Sequence, residues 1–436
     1  MDILFNDITA ITMEKSDPVL YNAFIGVTNG KICYIGKTRP KESIVREICG
    51  KNKVIMPSLI NCHTHSPMSL LRGYSNDVKL KQWLFDDIFP AERKIDYDMA
   101  YIGAQLSIAE MIASGTTSMS DMYLGLPRIA EAVSEAGIKA NLSNGILHFG
   151  DERCDFKTSK EYIETIEVVK EYHLKNHPLV KADASIHGEY TSSPDVWRQV
   201  IDFAKEYNLR MHIHLSESKD EHEDCKKRHG GLTPTQVFNK YELFDLPVMA
   251  AHGIYIEDCD IEILKNKNAT IVHNPISNLK LASGIAPIHK TAASGVNIAL
   301  GTDGMASNNS NDLFEEIKIS CLLQKAICDD PTVIPAYQAI EMATVNGAIA
   351  QGRENECGKI KQGFDADIIM IDFDNERLTP SYDPISTIAY SSTGQDVCLT
   401  MCKGKILYEN REFKTVDVEK VLFEARKIQD KLKRAT

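Results

Sequence analysis

Between about Met56 and about Cys357 the chain repeats one pattern eight times. A short β-rich run ends in histidine, aspartate or asparagine, and a longer stretch follows with apolar residues at helical spacing. The runs end near His65, Asp121, Asn144, His187, His214, His252, His273 and Asp303, and intervening stretches such as Tyr101 to Ser114 and Pro194 to Tyr207 read as helices. Strands joined by crossover helices pair in parallel, and eight strand–helix units are the number that closes a cylinder. The fold class read from this pattern is α/β, a (β/α)₈ barrel of the TIM type. In such barrels the carboxyl ends of the strands form one face where catalytic groups converge. Six or seven metal-competent or proton-competent side chains at one rim therefore bear on function as well as on fold.

The two ends of the chain carry a different signal. Ala23 to Thr28 and Lys31 to Ile35 are β-rich runs around Asn29-Gly30, a strong hairpin dipeptide. Ala366 to Ile371 and Val397 to Cys402 are again strand-like, the second running through Lys403-Gly404-Lys405 into Ile406-Leu407-Tyr408. Strands with open edges gain hydrogen bonds by pairing. Residues 1–56 and 357–436 are therefore expected to build one composite β-sandwich domain beside a catalytic barrel spanning 57–356.

Charge and composition narrow the partners. A formal net charge of -12 with no Lys/Arg-rich block opposes a phosphate backbone, so a small-molecule substrate is expected and nucleic acid is not. No apolar run approaches the roughly 18 residues of a bilayer span. The start Met1-Asp2-Ile3-Leu4-Phe5-Asn6-Asp7 lacks the cationic-then-apolar order of a signal peptide. A cytoplasmic protein with no membrane partner is expected, and homo-oligomerisation stays open. The 11 cysteines include no Cys-x-x-Cys pair, which suggests free buried thiols rather than disulfides or a thiolate zinc site. Histidines 173, 177, 222, 229 and 289 lie in charged segments and are expected to be exposed and without a role.

The chemistry is concentrated at four strand ends. In His63-Thr64-His65 the period of two puts both imidazoles on one side, able to hold one metal ion. His212-Ile213-His214-Leu215-Ser216-Glu217 offers His214 as a third ligand, with His212 deeper in the barrel, and Glu217 as a proton shuttle. Asp303, between Gly301 and Gly304, is the natural fourth ligand and base, and glycine lets backbone approach a crowded centre. His252 follows the sixth strand and would sit beside the water. Three histidines and a carboxylate suit one divalent ion, zinc in the first instance with iron(II) as the alternative. Such a metal lowers the pKa of bound water from 15.7 to about 7 and makes the nucleophile.

Asn61-Cys62-His63-Thr64-His65-Ser66-Pro67-Met68, Leu70-Leu71-Arg72-Gly73, His214-Leu215-Ser216-Glu217, His273-Asn274-Pro275-Ile276-Ser277-Asn278-Leu279-Lys280-Leu281 and Gly301 to Asn309 together resemble the 5'-methylthioadenosine/S-adenosylhomocysteine deaminases of the amidohydrolase superfamily. The likeness spans nearly the whole chain, and Gly358-Lys359-Ile360 through Asp365-Ala366-Asp367 looks like the return from barrel to sandwich. The resemblance implies one metal on His63, His65, His214 and Asp303, with Glu217 and His252 moving protons during hydrolytic deamination at C6 of an adenosine derivative. It also implies a substrate held by Glu92, which follows Trp83-Leu84-Phe85, and by His187, with Trp83 in the same pocket. Relatives that accept S-adenosylhomocysteine resemble one another in an arginine at the third strand's end. Here that position is Asn144, and Arg153 is the candidate for the second family arginine. The missing charge-assisted contact turns the expectation towards an uncharged nucleoside such as methylthioadenosine.

Two other readings stand beside this one. The same scaffold hydrolyses other aminated or chlorinated heterocycles, such as guanine, a pterin or a triazine. A two-metal cyclic amidase is disfavoured, because its bridging lysine would end the fourth strand, where this chain has His187. From another class, an inactive barrel could serve as a binding module, although such relatives usually lose ligands that all stand here. The Pro-Cys-x-x-Cys signature of nucleotide-editing zinc deaminases is absent.

Overall fold

A computed structural model describes residues 1–149 and 154–434. The N-terminal strands are β1 (Ile3–Ile11), β2 (Val19–Thr28), β3 (Lys31–Gly36), β4 (Arg46–Cys49) and β5 (Lys53–Pro57). The central strands are β6 (Leu59–Thr64), β7 (Thr116–Met122), β8 (Lys139–Ser143), β9 (Val180–Ala182), β10 (Ala184–Ile186), β11 (Met211–Leu215), β12 (Val248–His252), β13 (Thr270–His273) and β14 (Asn297–Leu300). The chain returns through β15 (Ile368–Asp372), β16 (Val397–Cys402), β17 (Lys405–Glu409) and β18 (Glu412–Phe413).

The central strands form the barrel expected from the eightfold pattern. β6 to β9 and β10 to β14 pair in parallel in two runs, and strands such as β6, β7, β8 and β11 are buried along their whole length. Helices outside and packed side chains inside cover both faces of a parallel strand, which is why these runs lack polar alternation. β9 and β10 are one strand interrupted at Asp183, where the backbone changes neighbour. Asp183 N donates to Leu142 O at 2.9 Å towards β8, and Ala184 N to Arg210 O at 2.8 Å towards β11.

Closure between the last and first strands comes just beyond β14. Asp303 N donates to His63 O at 2.9 Å. The Asn61 side chain accepts from Thr302 N at 3.1 Å and donates to Thr302 Oγ1 at 2.8 Å. Gly301 is required there: a Cβ on it would lie 2.5 Å from Asn274 Oδ1 and 2.8 Å from His63 N. The seam that shuts the cylinder is thus what sets Asp303 against His63.

Both chain ends share one nine-stranded sheet in the order β18-β17-β16-β15-β5-β1-β2-β3, with β4 also on β1. β15 runs antiparallel to β5, with Ile368 opposite Pro57 and Met370 opposite Ile55. The hairpins β2–β3 and β16–β17 turn through Asn29-Gly30 and Lys403-Gly404, all four residues at positive φ, the two-residue turn that matches strand twist. None of the eleven cysteines is in a disulfide, and Cys62, Cys225, Cys321, Cys357 and Cys402 are buried.

Sheet and barrel are joined by a buried charge cluster. Lys139 opens β8 with a fully buried side chain, and its Nζ donates to Asp365 at 2.8 Å and Asp367 at 2.6 Å. Lys403 and Lys31 also pair with Asp365, at 2.8 and 2.9 Å. Removing one partner of a buried pair strands the other charge, so Lys139→Met is expected to lower unfolding free energy by about 3–5 kcal/mol in urea titrations. Burial alone would raise the Asp365 carboxyl, but Lys139 and the other two lysines outweigh it and hold it well below the carboxylate range. A depressed carboxyl stabilises the fold above its unfolded pKa of about 4 and loses that contribution as pH falls towards the folded value. The wild-type urea midpoint should therefore drop on acidification below about pH 4, and drop less in Lys139→Met.

Candidate metal centre and active site

Three imidazoles converge at the carboxyl end of the barrel with their ring orientation fixed from behind. His63 Nδ1 meets His212 Nε2 at 2.8 Å, His65 Nδ1 bonds Met122 O, and His214 Nδ1 donates to His187 O at 2.8 Å. With each Nδ1 engaged, each Nε2 is left to face the common centre, as ligating imidazoles are typically arranged. The ligand atoms of His63, His65 and His214 all lie within 4.8 Å of one another, and His65 Nε2 is 3.4 Å from His214 Nε2. His63 Nε2 is buried without a hydrogen-bond partner. An orphaned buried nitrogen is rare in a folded protein, and a cation shared with the neighbouring rings would satisfy it.

Asp303 supplies the charge for such a cation. Its Oδ1 lies 3.5 Å from His63 Nε2 and 3.3 Å from His65 Nε2, while Oδ2 accepts from Ser277 Oγ at 2.6 Å and Ser307 Oγ at 3.1 Å. Gly304 N donates to Oδ1 at 2.7 Å. Asp303 itself is at φ 61°, a left-handed conformation held by the closing seam. Burial and the surrounding charges drive His214 well below its usual range and His187 down to about 3.

The proton-handling candidates stand beside this centre. His252 donates from Nδ1 to Asn278 Oδ1 at 2.8 Å, which leaves its Nε2 as an acceptor 3.8 Å from Glu217 Oε2. Glu217 follows β11 through Ser216 at φ 49°. Glu221 secures that bend, since its carboxylate accepts from Ser216 N at 3.0 Å and Glu217 N at 2.7 Å. Burial raises the Glu217 carboxyl above the usual range.

These groups open into a cavity of about 200 Å³ that also touches Trp83, Glu92, Asn144 and His187. Burial lifts the Glu92 carboxyl to about 7, against the lowering effect of the Tyr123 hydroxyl. Trp83 begins a π-helical turn over Trp83–Ile88 just before Glu92, and single π turns recur at functional sites. Arg153 lies outside the described residues. Asp121 and His273 end strands but do not line the cavity. Asp121 instead accepts from Ser66 N at 2.8 Å and from Ser66 Oγ, fixing the chain just after His65. His222 corrects the expectation of exposure: it is 3% exposed, beside Ser216 Oγ and 3.1 Å from Glu257, because α-helical spacing from Ser218 turns it inward. Sequence reasoning missed Tyr123, Asn278 and Glu221. The first follows a barrel strand directly, and the last completes a Ser218-x-x-Glu221 capping box, so both left a readable signal.

Residues 54–407 match the amidohydrolase family model. The chain is 41% identical over the full length of both proteins to a 5-methylthioadenosine/S-adenosylhomocysteine deaminase of Acetivibrio thermocellus. It belongs to the amidohydrolase family. Within it, this amidohydrolase falls among the methylthioadenosine/S-adenosylhomocysteine deaminases, as the motifs indicated, and is an aminohydrolase. It is also 39% identical to a 5'-deoxyadenosine deaminase of Methanosarcina acetivorans, covering 99% of this chain and 98% of the relative. Its structure superimposes with a TM-score of 0.93 on a zinc-bound adenosine deaminase from Xanthomonas campestris, at 29% identity and covering 99% of each chain. A divalent metal at the barrel mouth accords with both the donors and this relative. Among the described residues no helix is long and apolar enough to cross a membrane.

Proposed function

We propose that this amidohydrolase removes ammonia from C6 of an adenosine derivative, with His63, His65, His214 and Asp303 holding one zinc ion. The observation that carries the reading is the convergence of three Nε2 atoms, each with its Nδ1 engaged, on one carboxylate at the floor of a cavity of about 200 Å³. A bound divalent ion supplies Lewis acidity that makes water acidic enough to attack at neutral pH. The remaining work belongs to the chain. Glu217 donates a proton to the ring nitrogen beside C6 and so makes the ring electrophilic. Asp303 and the Nε2 of His252, which Asn278 keeps as an acceptor, take one proton from the attacking water and return it to the leaving amine, and the water's second proton restores Glu217. Glu92 and His187 orient the nucleoside, Glu92 by accepting from ribose hydroxyls, and Trp83 and its neighbours exclude bulk water. Iron(II) suits the same donors. Residues 57–356 are the catalytic unit on this reading, and 1–56 with 357–436 form the domain that adjoins it.

The decisive experiment is an ammonia-release screen with zinc-, iron- and manganese-loaded protein across methylthioadenosine, S-adenosylhomocysteine, 5'-deoxyadenosine, guanine, a pterin and a triazine. Turnover is expected on adenosine derivatives. Release only from guanine, pterin or triazine would replace the substrate class, and no release from any of them would overturn the reading.

A further inference from the structure

A buried carboxylate outside the metal centre gathers the polar hydrogens on one side of the cavity. Glu164, on the helix Lys160–Val168, is 3% exposed. Its Oε2 accepts from Gly125 N at 2.7 Å, Leu126 N at 3.2 Å and Asn144 Nδ2 at 3.0 Å. Its Oε1 accepts from the Tyr97 hydroxyl at 2.9 Å and lies 3.6 Å from Lys160 Nζ. The two backbone donors start the helix Leu126–Ala136, where a carboxylate is favoured by the exposed N–H groups and the helix dipole.

This arrangement decides what the wall offers a ligand. A carboxylate only accepts, so the Asn144 amide must turn its NH₂ towards Glu164, and its carbonyl oxygen is the remaining polar atom. Lys160 is the one lysine or arginine lining the cavity among the described residues, and Glu161 lines it too; Lys160 Nζ lies 3.6 Å from Glu164 and 4.9 Å from the centre of the Tyr97 ring. Among the described residues this part of the wall carries two carboxylates to one ammonium, and the Asn144 oxygen adds an acceptor. With the amino end of the purine at the metal centre, the ribose and its 5' arm sit at the other end of the ring system. Asn144 and Lys160 line the same cavity, Asn144 half-buried and Lys160 exposed, so on the deaminase reading they are placed to meet that arm.

We propose that Glu164 is a positioning residue that sets specificity, acting through Asn144 and Lys160 so that the enzyme takes adenosine derivatives with an uncharged or cationic 5' arm and turns away those with an anionic one. The inference rests on the deaminase reading and deepens it. A matched pair of nucleosides tests it: 5'-methylthioadenosine and its 5'-carboxymethylthio analogue, which differ by one carboxylate. With the zinc-loaded wild type, kcat/KM is expected to be about tenfold or more lower for the anionic compound, the scale of one partly screened charge contact. The gap should narrow as salt rises to about 0.5 M, because screening weakens repulsion. Glu164→Gln, with melting temperature and zinc content measured alongside, should raise kcat/KM for the anionic compound about tenfold relative to the neutral one, and adding Lys160→Met should abolish the gain.

A wild type that prefers the anionic compound, or a gap that widens with salt, overturns the proposal even if Glu164→Gln does not fold. An unchanged ratio in a folded, zinc-loaded Glu164→Gln overturns it as well. No ammonia from either nucleoside strikes the deaminase reading itself, whereas turnover of both with the anionic one favoured strikes this proposal alone.

Discussion

Glu217→Gln is expected to keep its metal and lose a factor of about 10²–10⁴ in kcat, the usual contribution of a positioned acid–base group. Glutamine preserves the volume and hydrogen-bonding reach of the side chain but cannot deliver a proton to the ring nitrogen. The local backbone should survive, because the bend at Ser216 is held by Glu221 through backbone N–H groups at 3.0 and 2.7 Å and not by Glu217 itself. Among the described residues Glu217 makes no hydrogen bond or ion pair with His63, His65 or His214, and its Oε2 lies 3.8 Å from His252 Nε2. Metal content by plasma emission should equal wild type, while ammonia release falls. Loss of metal in step with activity would contradict the assignment of Glu217 to proton transfer.

His214→Ala should do what Glu217→Gln does not. His214 is 7% exposed, its Nδ1 is tied to His187 O at 2.8 Å, and its Nε2 lies 3.4 Å from that of His65. Truncation removes one of four donors, and the alanine methyl offers no atom that can replace the imidazole nitrogen. Removing even a residue that merely supports a ligand costs about 10–100-fold in metal affinity or activity, so deleting the ligand itself should leave the purified protein with little metal. Turnover should fall further than in Glu217→Gln and recover only in part when zinc is added in excess. Metal content equal to wild type would remove His214 from the ligand set and, with it, the geometry on which the proposed function stands.

The relation between these two residues shows how much could be read in advance. His63, His65 and His214 were visible because strand alternation and strand-end position are local properties, and the same holds for the eight parallel units and the two-residue hairpins. Asn144 was visible as a position but not as a chemical group, since its amide is oriented by Glu164, twenty residues on in a different element. Asn278 holds His252 from a separate helix, and nothing near either residue announces the contact. His222 looked like one more surface histidine in a charged helix until the fold set that helix's inner face against Ser216 and Glu257. Asp121 looked like a rim group and instead holds Ser66.

Sequence by itself determined which residues stand at the strand ends, because a period of two and the hydrophobicity of doubly covered strands are written along the chain. Only the tertiary structure decided which of those residues meet. The distance from Asp303 to His63 depends on where the last strand closes on the first, 240 positions apart, and the orientation of each ring or amide depends on a hydrogen bond from another element. Pairings of that kind are properties of the closed barrel, and no stretch of chain contains them.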